Sequence, residues 1–443
     1  MAEKINIVSL GCARNLVDSE VMTGILRRAD YEVVAEPQQA DIVLVNTCSF
    51  IDAAKEESVD TILELARLKQ EGSLKTLVVA GCLPQRYAAD LEREMPEVDL
   101  FIGTGEVPKI AEILKERRSK RVYVGIPSYL YDHDTPRVRA TASHTAFVKA
   151  SEGCDHKCAF CIIPQLRGPH RSRPIESIVA EAAALGRDGV KEINLIAQDL
   201  TAYGRERRDG TTLYGLLKQL ENVDGIEWVR LLYAYPNFLD DALLDFIRDS
   251  RKVCKYFDIP LQHASRRMLM RMRRGKSGSA VGEAVEKLRR SIPGVTLRTS
   301  LIVGFPGETD DDFREMLDFV EESEFDRLGV FKYSVEEGTA AATMTGQVPE
   351  DVKEARWQEV MELQAEISRK KNEDLIGTVH RVMIDALESE LGLPYGRTQA
   401  HAPEVDGAVY IAERRAGLRQ GDFVDVKMTE ASDYDLTGEI TNG

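Results

Sequence analysis

Short apolar runs alternate with amphipathic stretches over the first quarter of the chain. The runs I-N-I-V-S-L (5–10), D-I-V-L-V-N (41–46) and T-L-V-V-A (76–80) are brief and rich in β-branched residues. That is the pattern of strands covered on both faces, as in a parallel sheet. Helical periodicity follows at 15–28, 52–70 and 84–95, and 98–118 should hold a further strand and helix. Residues 1–118 therefore predict an open parallel α/β sheet domain. Residues 119–144 carry Pro127, Pro136, several charges and little periodicity, and read as a linker.

A second alternation begins at 145. Strands are expected at 145–151, 192–197, 228–235, 256–261, 295–303 and 327–333, with helices between them as at 174–187, 239–249 and 309–322. Six βα repeats predict a partial, curved (β/α)6 barrel rather than a closed eight-fold one. A charged amphipathic helix at about 350–374 completes this unit, 145–374. In 375–443, V-H-R-V-M-I-D-A, A-V-Y-I and F-V-D-V-K-M-T are separated by Gly, Pro and Asp, which suits a small β-barrel.

Bulk properties narrow the setting. With 443 residues, two to four domains are expected; 43% hydrophobic and 30% charged residues are those of a soluble globular protein. No apolar run approaches the roughly 20 residues of a membrane span, and the start lacks a signal-peptide pattern. A cytoplasmic protein with reduced thiols is the expectation. The net charge of −16 disfavours broad binding to a nucleic-acid backbone and suits a basic protein partner.

The seven cysteines carry the chemistry, and their odd number argues against a purely disulfide framework. Cys12, Cys48 and Cys82 each follow one of the first three strand runs. Carboxyl ends of parallel strands share one sheet edge, so these thiols should meet there. The alternative is three unrelated core cysteines. In C-D-H-K-C-A-F-C, Cys154, Cys158 and Cys161 have C-x3-C-x2-C spacing at the end of the first barrel strand. Zinc would need His156 or His170 as a fourth ligand, and the matching second cysteine pair of a structural zinc site is missing. An iron–sulfur cluster with one iron left open suits three thiolates better.

That spacing, with an aromatic residue before the third cysteine, resembles the radical S-adenosylmethionine superfamily. The order of the whole chain is similar to that of the methylthiotransferases within it. The resemblance implies a radical-generating 4Fe-4S cluster on Cys154, Cys158 and Cys161 that binds S-adenosylmethionine. It implies an auxiliary 4Fe-4S cluster on Cys12, Cys48 and Cys82 that carries the sulfur to be transferred. It also implies an external electron donor and a C-terminal TRAM-like barrel that holds the macromolecular substrate.

One branch of this family modifies adenosine in transfer RNA, and another modifies an aspartate of the twelfth small-subunit ribosomal protein. S-L-G-C-A-R-N-L-V-D-S-E (9–20), C-I-I-P-Q-L-R-G (161–168), Q-D-L-T-A-Y-G (198–204), D-I-P-L-Q-H-A-S (258–265) and Y-S-V-E-E-G-T (333–339) resemble the ribosomal-protein branch. The expected product is a methylthio group on the aspartate β-carbon, on free protein or assembled subunit. Residues 372–443 hold 14 acidic against 6 basic residues, which suits a basic protein better than transfer RNA. Asp422, Asp425, Asp433 and Asp435 are the expected docking charges. The rivals are a transfer-RNA methylthiotransferase and a non-enzymatic iron–sulfur carrier or ribosome-assembly factor.

Other residues carry weaker expectations. Phe160 adjoins a cluster ligand and could pack near the adenine of S-adenosylmethionine, or be a plain core aromatic. Gln198 and Asp199, at a strand end, are candidates for cofactor or substrate contacts. Gly304 in G-F-P-G-E resembles the family's adenine-proximal turn. R-R-M-L-M-R-M-R-R-G-K (266–276) could face ribosomal RNA or the cofactor's carboxylate, but reads better as a solvated helix face with its methionines turned inward. His263 reads as structural or as lining the cavity rather than as a cluster ligand, Cys254 reads as buried and inert, and no catalytic side chain is singled out.

Overall fold

A computed structural model describes residues 2–441 except 73, 118, 275–279 and 414. The first sheet contains β1 (Lys4–Ser9), β2 (Glu32–Val33), β3 (Ile42–Thr47), β4 (Thr76–Gly81), β5 (Leu100–Gly103) and β6 (Val122–Tyr123). All six strands are parallel, in the order β2-β1-β3-β4-β5-β6. Every residue of β3 and β4 is buried, because alternate side chains meet different helix layers. Ile42 and Leu44 pack with α1 (Ala13–Arg28) and α4 (Ile110–Lys115). Val43 and Val45 pack with α2 (Asp52–Gln70) and α3 (Cys82–Glu94).

The stretch read as a linker does more than connect. Its residues Val122 and Tyr123 are the last strand of this sheet. Pro136 crosses α1 so closely that a Cβ on Gly24 would fall 2.4 Å from its carbonyl carbon. Arg137 then bonds both Glu20 of the first domain and Glu181 of the second.

The second sheet has β7 (Thr145–Lys149), β10 (Glu192–Ile196), β11 (Trp228–Leu231), β12 (Val253–Gln262), β13 (Thr296–Val303) and β14 (Arg327–Lys332), all parallel and adjacent in chain order. A separate antiparallel pair, β8 (Ser151–Glu152) and β9 (Arg171–Ser172), flanks the cysteine loop. The helices are α5 (Ile163–Arg167), α6 (Ile175–Arg187), α7 (Leu213–Leu220), α8 (Asp241–Asp249), α9 (Arg266–Arg271), α10 (Ala280–Ser291), α11 (Asp310–Ser323) and α12 (Glu350–Glu373). Among the described residues β7 and β14 do not pair, so the barrel stays open. In the basic run, Met268 and Met272 are buried whereas Met270 is exposed; Gly275 and Lys276 lie outside the described residues.

The C-terminal unit is a closed five-stranded barrel of β15 (Val379–Ala386), β16 (Tyr395–Arg397), β17 (Val409–Ile411), β18 (Phe423–Ala431) and β19 (Leu436–Ile440). It docks near the amino ends of the second sheet's strands. There Glu192 lies between Arg230 and Arg397 at 2.9 and 2.8 Å. Tyr256 donates to Asp406 at 2.7 Å, and Trp228 packs edge-on against Phe423. The terminal barrel and the cysteine loop therefore occupy opposite ends of the sheet. Three of the four expected docking acids are used internally: Asp422 accepts from the Arg419 backbone, Asp433 pairs with Arg369, and Asp435 accepts from the Ala408 backbone. Among the described residues no helix is long and apolar enough to cross a membrane.

Candidate functional site

The first cysteine centre follows from strand order. β1, β3 and β4 are neighbours, in a register that sets Ser9 beside Asn46 and Thr47 beside Gly81. Cys12 caps α1, Cys48 follows β3, and Cys82 opens α3, so the three thiols share one edge. Gly11 has φ +88°, and a Cβ there would fall 2.8 Å from the Cys48 Cβ, so only glycine admits this approach. Asn15 locks the turns by donating to the Leu10 and Thr47 carbonyls.

The charges around these thiols differ. Burial pushes the Cys12 thiol up, but the Arg14 and Arg167 guanidiniums and nearby backbone N–H groups bring it below the ordinary range. Burial and the neighbouring thiols raise Cys48 to about 11. Burial also raises Cys82, against the pull of Arg167.

The second centre lies on the loop after β8. Gly153, at φ +86°, passes so near Pro169 that a Cβ would sit 2.0 Å from its carbonyl oxygen. The loop is pinned by backbone bonds from Cys154 to Gly168 and from Ala159 to Met272. His156 and Asp199 are 2.7 Å apart, and the imidazole stacks on Tyr235 with centroids separated by 4.2 Å. Cys154, Cys158 and Cys161 line a cavity of about 420 Å³, with Lys157, Arg273 and Gly338 on its walls. Burial raises Cys154 to about 11 and Cys161 to about 12.

Both donor sets fit clusters. Each offers three thiols and no fourth cysteine, the donor type of an iron–sulfur cluster with one iron left open. Of the histidines that zinc would recruit, His156 pairs with Asp199 through Nε2, and His170 bonds Ser172 near Glu206 through Nε2 while its Nδ1 has no partner.

Between the centres lies a buried polar group that the sequence reading did not single out. Arg167 donates to the Cys82 sulfur at 3.5 Å, to Asn15, and to Asp18 at 2.5 Å. Lys149 bridges Asp18 and Glu152 at 2.7 and 2.6 Å. Burial would raise the Glu152 carboxyl, but Lys149 and Arg167 hold it well below its ordinary value. Two signals were available: a lysine inside the apolar run T-A-F-V-K-A-S, and an arginine six residues beyond Cys161.

The remaining candidates divide. Gln198 donates to Glu152, while its buried carbonyl oxygen has no partner and is free to accept a bond from a ligand. Asp199 is committed to His156 and to the Thr201 and Ala202 backbone. Phe160 packs in an apolar cluster with Met268, Met272 and Phe305 rather than lining the cavity. Gly304 lies against α12, where a Cβ would meet the Lys353 side chain at 2.3 Å. His263 is fully buried near Glu308, and Cys254 is buried in the core. A latch absent from the sequence reading closes one rim: buried Glu336 receives Lys55 at 3.1 Å and Arg86 at 2.7 Å, both from the first domain.

An open barrel of six parallel strands, with a three-cysteine loop at its carboxyl edge, defines a radical S-adenosylmethionine protein. Three family models match in succession: Uncharacterized protein family UPF0004 over residues 4–103, Radical SAM superfamily over 148–320, and TRAM domain over 376–441. The fold resembles the radical S-adenosylmethionine methyltransferase TsrM from Kitasatospora setae, with TM-score 0.55 and 15% identity over 75% of each chain. Ribosomal protein uS12 methylthiotransferase RimO of Pelobacter propionicus is 52% identical over 99% of this chain and 98% of its own length. The RimO proteins of Geotalea uraniireducens (52%) and Geobacter sulfurreducens (50%) align over the same shares. The chain belongs to the RimO family of methylthiotransferases.

Proposed function

We propose that this protein attaches a methylthio group to the β-carbon of an aspartate of ribosomal protein uS12, using two 4Fe-4S clusters. The observation that carries this reading is the two sets of three thiols, one on the edge of the first sheet and one on the loop after β8, in a chain matching RimO relatives end to end. Cys154, Cys158 and Cys161 would hold the radical-generating cluster, and Cys12, Cys48 and Cys82 the auxiliary one. Bound there, the clusters and S-adenosylmethionine supply one-electron chemistry able to remove hydrogen from an unactivated carbon, together with the sulfur and methyl to be attached.

The protein's own groups hold and separate these parts. The His156–Asp199 pair and the Ala159–Met272 backbone bond fix the second loop. The Glu336 latch ties the first domain to the cavity rim, which sets how the two centres face each other. Exposed acids on the terminal barrel, among them Asp425, Glu430 and Glu439, suit a basic ribosomal protein rather than transfer RNA. An external electron donor and a cytoplasmic setting complete the reading.

Mass spectrometry of ribosomal proteins and transfer RNA from cells lacking this protein tests it. The methylthio mass should vanish from uS12 and persist on transfer RNA. Loss from transfer RNA alone would overturn the assignment.

A further inference from the structure

Arg167 stands on the helix that follows the second cysteine loop, and its side chain reaches the first cysteine set. It is the last residue of α5, a short helix that starts two residues after Cys161. The helix is braced on both sides: Thr104 of the first domain donates to the Leu166 carbonyl at 2.6 Å, and the Gly168 carbonyl accepts from Cys154. A displacement of the radical loop therefore moves the Arg167 backbone with it. The guanidinium crosses into the first domain, where it meets Asn15, Asp18 and the Cys82 sulfur.

The charges indicate what this contact does. Asp18 and Glu152 are matched by Lys149 and Arg167, so the four buried groups carry no net charge. A metal-bound Cys82 thiolate would add a negative charge directly opposite one edge of the guanidinium. Hydrogen bonds and fixed cations at a cluster's sulfurs favour its reduced, more negative form, most strongly where water is excluded. Arg167 is only 4% exposed, and the Cys82 residue 6%. Arg14 adds a second cation near Cys12, held by the Ala197 carbonyl at 2.8 Å and the face of Tyr233.

We propose that Arg167, carried on the helix that follows the second cysteine loop, tunes the first centre, its guanidinium bonding the Cys82 sulfur and raising the reduction potential of the cluster held there. The inference rests on the reading that Cys12, Cys48 and Cys82 hold a cluster.

The test is a redox titration, followed by electron paramagnetic resonance, of the full-length reconstituted chain. Cys154→Ala, Cys158→Ala and Cys161→Ala leave only the first-domain signal. Arg167→Gln should shift its potential to more negative values. Arg167→Lys should shift it less, because lysine keeps the charge but loses the planar fork. An unchanged potential in both variants, with about four irons retained, would overturn the proposal. If Arg167→Gln fails to hold iron, Arg167→Lys decides: a parental potential there means that losing the guanidinium–sulfur bond leaves the cluster unchanged, which also overturns the proposal. If the parent with Arg167 intact binds no iron, the cluster reading itself fails, an outcome distinct from the other two.

Discussion

Replacing Glu192 by Gln should loosen the terminal barrel from the radical core. The carboxylate is fully buried between Arg230 and Arg397, so the variant keeps the shape but leaves two guanidiniums facing a neutral amide. Burial would raise this carboxyl, yet the two arginines hold it at about 2 against an ordinary 4.5. At about 1.4 kcal/mol per pH unit, that difference is worth roughly 3 kcal/mol at neutral pH. Removing one partner of a buried pair costs a similar amount, about 3–5 kcal/mol.

Trp228 reports the event, because its ring packs on Phe423 at 4.9 Å. Trp357→Phe leaves it as the sole tryptophan, the chain having two. In urea, the Trp228 transition of Glu192→Gln should have a midpoint lower by roughly 1–3 M at pH 7. The stabilisation from a depressed carboxyl is complete above its unfolded value and is lost as pH falls toward the folded one. The gap between the two proteins should therefore narrow below about pH 4.5, where unfolded wild type takes up a proton that the folded carboxylate still excludes. Coincident midpoints at pH 7, or a gap that widens in acid, would refute the reasoning.

Three further outcomes are expected. Anaerobic reconstitution should load about eight irons per chain, and Ala at Cys154, Cys158 and Cys161 together should halve that by iron assay. Ala at Cys12, Cys48 and Cys82 should abolish methylthio transfer yet leave S-adenosylmethionine cleavage measurable as deoxyadenosine; normal methylthio product would remove the sulfur-delivery role. Lys at Asp425, Glu430 and Glu439 should weaken binding of the basic ribosomal protein, and added salt should weaken it in the parent, since exposed charges are screened within about 10 Å at 0.1 M. Tighter binding of transfer RNA than of uS12 by the parent would contradict the charge argument.

Much of this architecture is written locally. A strand covered on both faces must be apolar at successive positions, so 41–46 and 76–80 announce buried parallel strands before any partner is known. The cysteines follow those runs directly, and parallel strands bring their carboxyl ends to one edge, so the meeting of Cys12, Cys48 and Cys82 on that edge was legible as well. The C-x3-C-x2-C loop is local by definition. The strands Val122–Tyr123, Tyr395–Arg397 and Leu436–Ile440 were not legible, because pairing with a neighbour rather than their own composition makes them strands.

The buried charges depended on tertiary structure most of all. Lys149 reads as an anomaly in an apolar run until Asp18, 131 residues away, is brought to 2.7 Å. Arg167 finds Asp18 from 149 residues away, and Arg397 finds Glu192 from 205. Periodicity records which face of an element is buried, whereas a charge tolerates burial only beside a specific opposite charge. Here those partners come from other domains, and chain closure alone sets them in contact.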